Sequence, residues 1–374
     1  MSAYASKQHP DYIFLGLAAL LVLLGLLFLA SASSITSFQK FGGDSYSMLR
    51  HQVIYGLMPG LVIFFFLSRL PYQSLRKVAL PFLVVSIILL LLVFVPGLGL
   101  SLGGARRWLN LAGFTFQPSE LIKLSFLIYL AAWLDSRGDR LHSFKEGVLP
   151  FIITTGTICG LIIMQPDLGT TSVIAVSAFL TFLVAGANLV HLATLGIGGL
   201  GLAWLMVKFE PYRAERLMVF LHPELDPQGI GYHISQALLA VGSGGFWGLG
   251  LGYSRQKYQY LPEVVGDSVF AIIAEELGFI FTALFLILIF SFLWRGFRLA
   301  QRAPDDFGRY LASGILIWFG FQTCINIASM LSILPLTGVP LPFVSFGGSA
   351  LMTGLAGLGI LVNISKQIRI TPKV

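Results

Sequence analysis

The stretch from Tyr260 to Phe279, YLPEVVGDSVFAIIAEELGF, places four carboxylates where a long apolar run begins. They belong to Glu263, Asp267, Glu275 and Glu276. An ionised carboxylate at bilayer depth costs at least about 2.5 kcal/mol, so membrane proteins keep such residues where they face a polar cavity or a partner. The apolar run therefore predicts a membrane span, and its acids predict a polar site at the start of that span.

The composition is that of a polytopic membrane protein. Of the 374 residues, 56% are hydrophobic, only 11% are charged and 31 are Phe, which is incompatible with a water-facing surface. Apolar windows that approach the roughly 20 residues of a membrane-crossing helix recur along the chain. There are ten, at residues 12–31, 52–68, 78–96, 118–134, 147–165, 168–186, 189–208, 268–294, 308–333 and 345–365. We therefore predict an all-α fold of ten transmembrane helices that form one domain, residues 1–374.

Lys and Arg residues predict how the helices are oriented. With both termini cytoplasmic, fourteen Lys and Arg lie on the inner side and four lie in the short outer loops. Short cytoplasmic loops normally carry this excess, so we predict cytoplasmic N and C termini. The loop at 209–267, between helices seven and eight, then lies outside the membrane. A loop of this length predicts a function, and we expect it to dip into the outer membrane face.

Several function classes are disfavoured. The net charge is +7, but the Lys and Arg residues are scattered in short loops beside the spans, so we predict no nucleic-acid binding. Cys159 and Cys324 lie far apart in apolar runs, which predicts neither a disulfide nor a zinc site. The sequence contains no P-loop, HExxH motif, nucleophile elbow or dinucleotide fingerprint, and we expect no organic cofactor. No cleavage site follows the first apolar run, which is predicted to be retained.

Asp267 is the strongest candidate for chemistry. It precedes Ser268 and an unbroken apolar run, an arrangement that also suits a helix cap. Capping and catalysis are compatible at a helix start that faces a cavity. Glu275 and Glu276 lie eight and nine residues further on, so a helix would place them ~12 Å deeper than Asp267. We predict that these two acids are buried, paired and structural.

Two further segments place polar residues at the outer ends of spans. In FQPSELIKL, residues 116–124, Glu120 and Lys123 share one helix face about 5–6 Å apart, as an ion pair or as part of a polar cavity. Arg106 in GGARRWLN comes just before them. Asp167 in MQPDLGT is either a helix cap or a cavity residue. Together with Asp267, these residues predict a polar cavity that opens to the outside.

The segment LPLTGVPLPFVSFGGSALM, residues 334–352, precedes the last span. Its three prolines and adjacent glycines predict a rigid re-entrant loop whose backbone binds something polar, or a kinked loop without function. Ser345 and Ser349 are its candidate binding hydroxyls.

Five motifs in order, GGARRWLN…FQPSELIK, QPDLGT, GYHISQALLAVGSGGFWGLGLG, SRQKYQYLPEVVGDSVFAIIAEELGF and PLTGVPLPFVSFGGSALM, resemble the SEDS family (shape, elongation, division and sporulation). The resemblance extends over almost the whole chain. The segments YSRQKYQYLPE and GVPLPFVSFGGSAL are more similar to the division branch than to the elongation branch. One departure is that this chain has VGDSVFA where many relatives have HTDFIFA, so the flanks of Asp267 differ while the acid is retained.

The resemblance implies ten transmembrane helices and an inverting peptidoglycan glycosyltransferase that polymerises lipid II on the outer face of a bacterial cytoplasmic membrane. It implies that Asp267 is essential and that Glu120, Lys123 and Asp167 support it. It also implies a class B penicillin-binding protein as partner, with other divisome or elongasome membrane proteins.

The expected chemistry follows from the substrate. A carboxylate such as Asp267 serves as general base for a sugar hydroxyl, and cations offset the charge of the leaving diphosphate. The candidate cations are Lys123, Arg106, Arg255 and Lys257, and a divalent ion, Mg or Mn, is a further candidate. The alternatives at this point are a lipid II translocase, an elongation-type polymerase and a scaffold without chemistry.

Overall fold

A computed structural model describes residues 9–102, 105–111 and 114–368. The thirteen α-helices of the described residues are α1 (Tyr12–Lys40), α2 (Ser47–Gln52), α3 (Met58–Arg69), α4 (Gln73–Leu92), α5 (Pro118–Arg137), α6 (Leu149–Ile163), α7 (Leu168–Val184), α8 (Leu189–Phe209), α9 (Pro211–Leu221), α10 (Ile230–Ser243), α11 (Val269–Gln301), α12 (Asp306–Met330) and α13 (Gly348–Lys366). Three short strands are β1 (Gly99–Leu102), β2 (Ala105–Leu111) and β3 (Phe114–Phe116). A π-helical turn joins α2 to α3, and another precedes α6.

Each of the ten predicted spans coincides with a helix. Eight continuous helical segments of the described chain are long and apolar enough to cross a membrane. The other two positions hold α7, which is apolar but shorter, and α5, which carries the Glu120–Lys123 pair. The chain is therefore a polytopic α-helical membrane protein.

Side chains at helix starts explain several of the boundaries. Asp11 caps α1 by accepting from the backbone N–H of Phe14 at 3.0 Å. Asp305 caps α12 through the N–H of Gly308 at 2.8 Å. Each cap satisfies one of the backbone donors that a helix start leaves open. Pro118 at the start of α5 has no such donor to satisfy.

The centre of the bundle is formed by α5, α12 and α13. The most apolar windows of α12 and α13 are 72% and 83% buried, whereas that of α8 is 6% buried. Small residues permit close packing there. A Cβ on Gly359 of α13, for example, would lie 2.8 Å from the carbonyl of Phe64 in α3. The polar residues of α5 are thus held in the most buried part of the molecule.

The end of the bundle that carries the long segment between α8 and α11 is called the loop end below. The three strands form an antiparallel sheet in the order β1-β2-β3, in the connection between α4 and α5. The sequence predicts that GGARRWLN lies at this end, and the structure shows in addition that residues 105–111 form strand β2. The sheet leads directly into α5, because β3 ends two residues before Pro118.

Helix α11 is broken at Gly278, where φ is 69° and ψ is −176°. The freed N–H groups of Phe279 and Ile280 donate to the carbonyls of residues 245 and 246, at 2.8 and 3.2 Å. The carbonyls of Glu275 and Glu276 accept from the N–H groups of residues 249 and 250, at 3.0 and 2.9 Å. The glycine-rich segment thus replaces the hydrogen bonds that the break removes, as a helix within a membrane requires.

Candidate functional site

Asp267 lies at the start of α11, in the position that the sequence predicts. Its backbone carbonyl accepts from Nδ2 of Asn326 at 2.7 Å, and the same amide donates to the carbonyl of Val339 at 2.8 Å. The carboxylate Oδ1 is buried and has no hydrogen-bond partner among the described residues. The backbone of Asp267 is therefore held in place while its carboxylate keeps an unused acceptor.

Burial, together with the negative charge of Glu263, raises the pKa of Asp267 from 3.8 to about 7. The Arg216 charge and two backbone N–H groups oppose this shift without cancelling it. A carboxylate with a pKa near neutrality holds a proton weakly enough to release it and strongly enough to accept it. Asp267 thus has the acidity that suits a general base at physiological pH.

The loop between α12 and α13, residues 331–347, connects Asp267 to the other candidate residues. A Cβ on Gly338, which has φ of +69°, would lie 4.0 Å from Oδ2 of Asp267. A Cβ on Gly169, two residues after Asp167, would lie 2.6 Å from the carbonyl of Thr337. The carbonyl of Pro340 accepts from Nε2 of Gln322 at 2.8 Å. The 331–347 loop therefore brings the starts of α7 and α11 together with the middle of α12.

Glu120 and Lys123 form a buried ion pair, with Nζ and Oε1 2.8 Å apart. Nζ of Lys123 also donates to Oε1 of Gln322 at 3.0 Å and lies 5.1 Å from the Trp318 ring. The two side chains are only 2% and 3% exposed. The prediction of an outward-opening cavity is therefore wrong for this pair, because Gln322 and the 331–347 loop enclose it.

A small cavity lies beside this ion pair. Its volume is about 10 Å³, room for about one water molecule, and Glu120, Gln322, Pro340 and Ser345 are among its lining residues. Oε2 of Glu120 has no hydrogen-bond partner among the described residues. The site therefore contains two carboxylate oxygens with unused acceptor capacity, one at Asp267 and one at Glu120.

Ser345 and Ser349 are buried and hold backbone groups in place. Oγ of Ser345 accepts from the N–H of Leu341 at 2.8 Å, which closes a turn within the 331–347 loop. Oγ of Ser349 accepts from the N–H of Gln117 at 3.1 Å, one residue before α5. In this structure both serines shape the site, and neither hydroxyl is exposed to a substrate.

Asp167 is the N-cap of α7, which is one of the two roles that the sequence predicts for it. Its carboxylate accepts from the N–H of Thr170 at 3.0 Å and from the Thr170 hydroxyl at 2.9 Å. Nη1 of Arg107 lies 4.0 Å from Oδ2 of Asp167, and the Arg107 guanidinium donates to the carbonyls of Gln165 and Pro166. Asp167 therefore positions the α6–α7 turn next to the 331–347 loop.

Glu275 and Glu276 hold the glycine-rich segment against the bundle. Glu275 accepts from the hydroxyl of Ser254 at 2.5 Å and from the N–H of Arg255 at 3.0 Å. Glu276 accepts from the hydroxyl of Ser31 in α1 at 2.7 Å. Both acids are buried and satisfied by specific partners, which assigns them a structural role.

Lys257 does not lie at the Asp267 site. Its Nζ is 3.1 Å from Oε1 of Glu276 and donates to the carbonyl of Gly252 at 2.6 Å, and its side chain is 2% exposed. Its assignment to the diphosphate is therefore corrected, because its charge already compensates a buried acid. Arg106 and Arg255 are exposed and remain candidate diphosphate ligands.

Three residues of the site were not predicted from the sequence: Arg107, Gln322 and Asn326. Gln322 and Asn326 lie four residues apart on α12, and both contact the 331–347 loop through side-chain amides. Two amides four residues apart in an apolar helix, on one face, are the signal that could have identified them. Arg107 is adjacent to Arg106, and only the fold shows which of the two reaches Asp167.

The described residues contain no group of three or more His, Cys, Asp or Glu side chains that could hold a metal ion.

The fold and the site define a class of protein: a polytopic helical membrane protein with a catalytically suited carboxylate at one end of its bundle. The chain belongs to the FtsW/RodA/SpoVE family, because the family model, described as a cell cycle protein, matches residues 11–370.

Similar proteins agree with this membership. The chain is 39% identical to stage V sporulation protein E of Bacillus subtilis, over 97% of this chain and 99% of that one. It is 38% identical to a probable peptidoglycan glycosyltransferase FtsW of Trichlorobacter lovleyi, over 97% and 94% of the two chains. Solved structures also share the fold, among them the following two.

One of these structures is a chain from a study of the structural coordination of polymerization and crosslinking by a peptidoglycan synthase complex. It has a TM-score of 0.77 and 31% identity, and the match covers 95% of this chain and 97% of that one. The other is the rod shape determining protein RodA of Thermus thermophilus, with a TM-score of 0.71 and 30% identity over 97% and 98% of the two chains.

Proposed function

We propose that the protein is an inverting peptidoglycan glycosyltransferase that polymerises lipid II on the outer face of the cytoplasmic membrane. The observation that carries this proposal is the Asp267 carboxylate, which is held by its backbone, has an unused Oδ1 and has a pKa raised to about 7. Relatives named as probable peptidoglycan glycosyltransferases support the reaction class.

The reaction is a single displacement. Asp267 accepts the proton of a sugar hydroxyl on one lipid-linked molecule as that oxygen bonds to the anomeric carbon of the other. The bond between that carbon and the diphosphate oxygen breaks, and the lipid diphosphate leaves with the electron pair. Attack from the face opposite the leaving group inverts the anomeric carbon. A diphosphate is a good leaving group, so the second acid that a glycoside hydrolase needs is dispensable here.

Positive charge must offset the departing diphosphate. Arg106 and Arg255 are exposed and suit this role, whereas Lys123 and Lys257 are buried in ion pairs. Mg²⁺ is commonly held by one or two carboxylates together with substrate phosphates, and Asp267 would be one of them. A bound Mg²⁺ or Mn²⁺ would supply further charge compensation, and loss of activity with EDTA would support its participation.

The membrane orientation and the partners are part of the proposal. The excess of Lys and Arg in the short loops on one side supports cytoplasmic termini in the inner membrane, and this orientation places the loop end outside. Cysteine accessibility at the two ends tests it. Similarity to a chain of a peptidoglycan synthase complex supports a class B penicillin-binding protein as partner, with divisome proteins around it. The 38% identity to an FtsW, against 30% to a RodA, favours the division branch of the family over the elongation branch.

The test is glycan polymerisation from labelled lipid II by the purified protein with its penicillin-binding partner. The partner carries an inactivated transpeptidase so that the glycan strands stay separable by length. Strands that depend on this chain are the expected result. If no polymer forms while proteoliposomes move labelled lipid II between leaflets, the chain is a translocase. If neither activity is found, the scaffold hypothesis replaces the enzyme.

A further inference from the structure

Ser268 occupies the N-cap position of α11 but makes no side-chain capping hydrogen bond. A serine at this position usually accepts from a backbone N–H of the first turn, which stabilises a helix by about 1 kcal/mol. Its hydroxyl instead lies 2.7 Å from Nε2 of His233 and donates to the carbonyl of Pro262 at 2.8 Å. The residue directly after Asp267 is thus used to join two other segments.

The direction of these two hydrogen bonds follows from the number of available protons. A serine hydroxyl has one proton, and both contacts are satisfied together only if that proton goes to Pro262 and Nε2–H of His233 donates to Oγ. Burial, together with the positive charge of Arg216, lowers the pKa of His233 to about 4. The ring is therefore neutral at pH 7 and carries its single proton on Nε2.

The resulting chain of hydrogen bonds runs from α10 through Ser268 to the turn at Pro262. The turn continues through Glu263, whose φ is +49° and whose carbonyl accepts from the N–H of Ser268 at 3.2 Å. On the other side, the carbonyl of Asp267 accepts from Asn326. Asp267 is consequently fixed on both sides through its backbone, while its carboxylate has an unused oxygen.

We propose that His233 is a positioning residue for Asp267, acting through the hydroxyl of Ser268 to set the backbone from which the carboxylate projects. The inference rests on the proposed role of Asp267 as the base. It concerns a histidine–serine pair that joins the GYHISQ motif to the position directly after Asp267. His233 touches neither the carboxylate nor the reacting atoms and is not itself catalytic.

The variants that test this inference are chosen by the position of their donor atoms. In His233→Gln the amide nitrogen lies near the position of Nε2, so the donor is retained. In His233→Asn the amide lies near Nδ1 and does not reach Ser268. Ser268→Ala removes the acceptor. His222→Asn, at an exposed histidine in the same long segment, is the matched control.

The kinetic assay uses the full-length protein with its penicillin-binding partner and labelled lipid II. A displaced general base lowers kcat without weakening substrate binding, and we expect His233→Asn and Ser268→Ala each to lower kcat roughly tenfold with KM unchanged. The double variant His233→Asn/Ser268→Ala is expected to be no slower than Ser268→Ala alone, because His233 acts only through the Ser268 hydroxyl. His233→Gln and His222→Asn are expected to retain the wild-type rate.

A second measurement detects the loss of the His233–Ser268 hydrogen bond independently of catalysis. Hydrogen–deuterium exchange of peptides that cover residues 262–274 is expected to rise in His233→Asn and to stay at the wild-type level in His233→Gln. Equal exchange in the two variants overturns the inference, whether or not polymer is formed.

The outcomes distinguish the inference from the function on which it rests. Unchanged kcat in His233→Asn, with an inactive Asp267→Asn, overturns the positioning role and leaves the proposed base in place. Full activity in Asp267→Asn overturns both. A loss of kcat in His233→Gln equal to that in His233→Asn also overturns the inference, because the donor position would then be irrelevant.

Discussion

The buried ion pair of Lys257 and Glu276 provides a sharp test of how the loop end is held together. The two side chains are each 2% exposed, and Nζ lies 3.1 Å from Oε1. Lys257→Met removes the cation and leaves Glu276 buried with the Ser31 hydroxyl as its nearest remaining donor. Removal of one partner of a buried pair costs roughly 3–5 kcal/mol, whereas replacement of both by neutral residues is often close to neutral.

We therefore expect Lys257→Met to lower the free energy of unfolding by about 3 kcal/mol or more and Glu276→Gln to lower it by a similar amount. The double variant Lys257→Met/Glu276→Gln is expected to recover most of that loss. Equilibrium unfolding in mixed micelles, followed by the fluorescence of the six Trp residues, measures all four proteins. The coupling energy of this double-mutant cycle reports the pair itself.

Two stability results would refute the reasoning, and a third result, on activity, would overturn the structural assignment of Lys257. A fully stable Lys257→Met would show that the pair is not buried in the membrane-embedded protein. A double variant as unstable as the sum of the two single variants would show that the charges do not interact. A double variant that folds normally but makes no glycan would return Lys257 to the diphosphate site.

Three further predictions concern Asp267 and the break in α11. Since the base must be ionised and its pKa is raised to about 7, kcat is expected to fall as pH drops through about 7, as measured in a pH–rate profile. The pKa of Asp267 is higher in the folded protein, about 7, than its ordinary value of 3.8, so ionisation of this carboxyl disfavours the folded state. The thermal stability of the wild type is therefore expected to decline as pH rises from 3.8 to about 7, and Asp267→Asn is expected to abolish that decline. Gly248→Ala is expected to lower thermal stability, because its Cβ would lie 2.2 Å from the carbonyl of Glu276, whereas Gly242→Ala, with nothing within 4 Å, serves as its control.

Each of these predictions has a contradicting result. A flat pH–rate profile between pH 5.5 and 8.5 would exclude an Asp267 base of the stated acidity. Equal pH dependence of stability in wild type and Asp267→Asn would show that the carboxylate is not desolvated. Gly248→Ala and Gly242→Ala of equal stability would show that the glycine-rich segment does not pack against the break.

The ten helical positions could be predicted from the sequence because each apolar window is a local property of the chain. Placement of Asp267 at the start of α11 was predictable for the same reason, since Gly266 and Ser268 flank it just before an apolar run. The closeness of Glu120 and Lys123 followed from helix geometry alone. These inferences needed no knowledge of tertiary contacts.

Tertiary contacts account for what the sequence did not predict. Lys257 was assigned to the diphosphate because its charge is visible in the sequence, whereas its partner Glu276 is defined only by folding. The helix break at Gly278 depends on backbone groups of residues 245–250, which the apolar window does not show. The enclosure of Glu120 by the 331–347 loop likewise depends on contacts between distant segments.

Asp267 is the proposed base on which polymerisation depends. The decisive measurement compares the initial rate of glycan synthesis at saturating lipid II for wild type and Asp267→Asn, each bound to the penicillin-binding partner and matched in thermal stability. We predict that Asp267→Asn loses nearly all polymerisation while still binding lipid II and the partner. Polymerisation by Asp267→Asn at the wild-type rate would contradict the central claim.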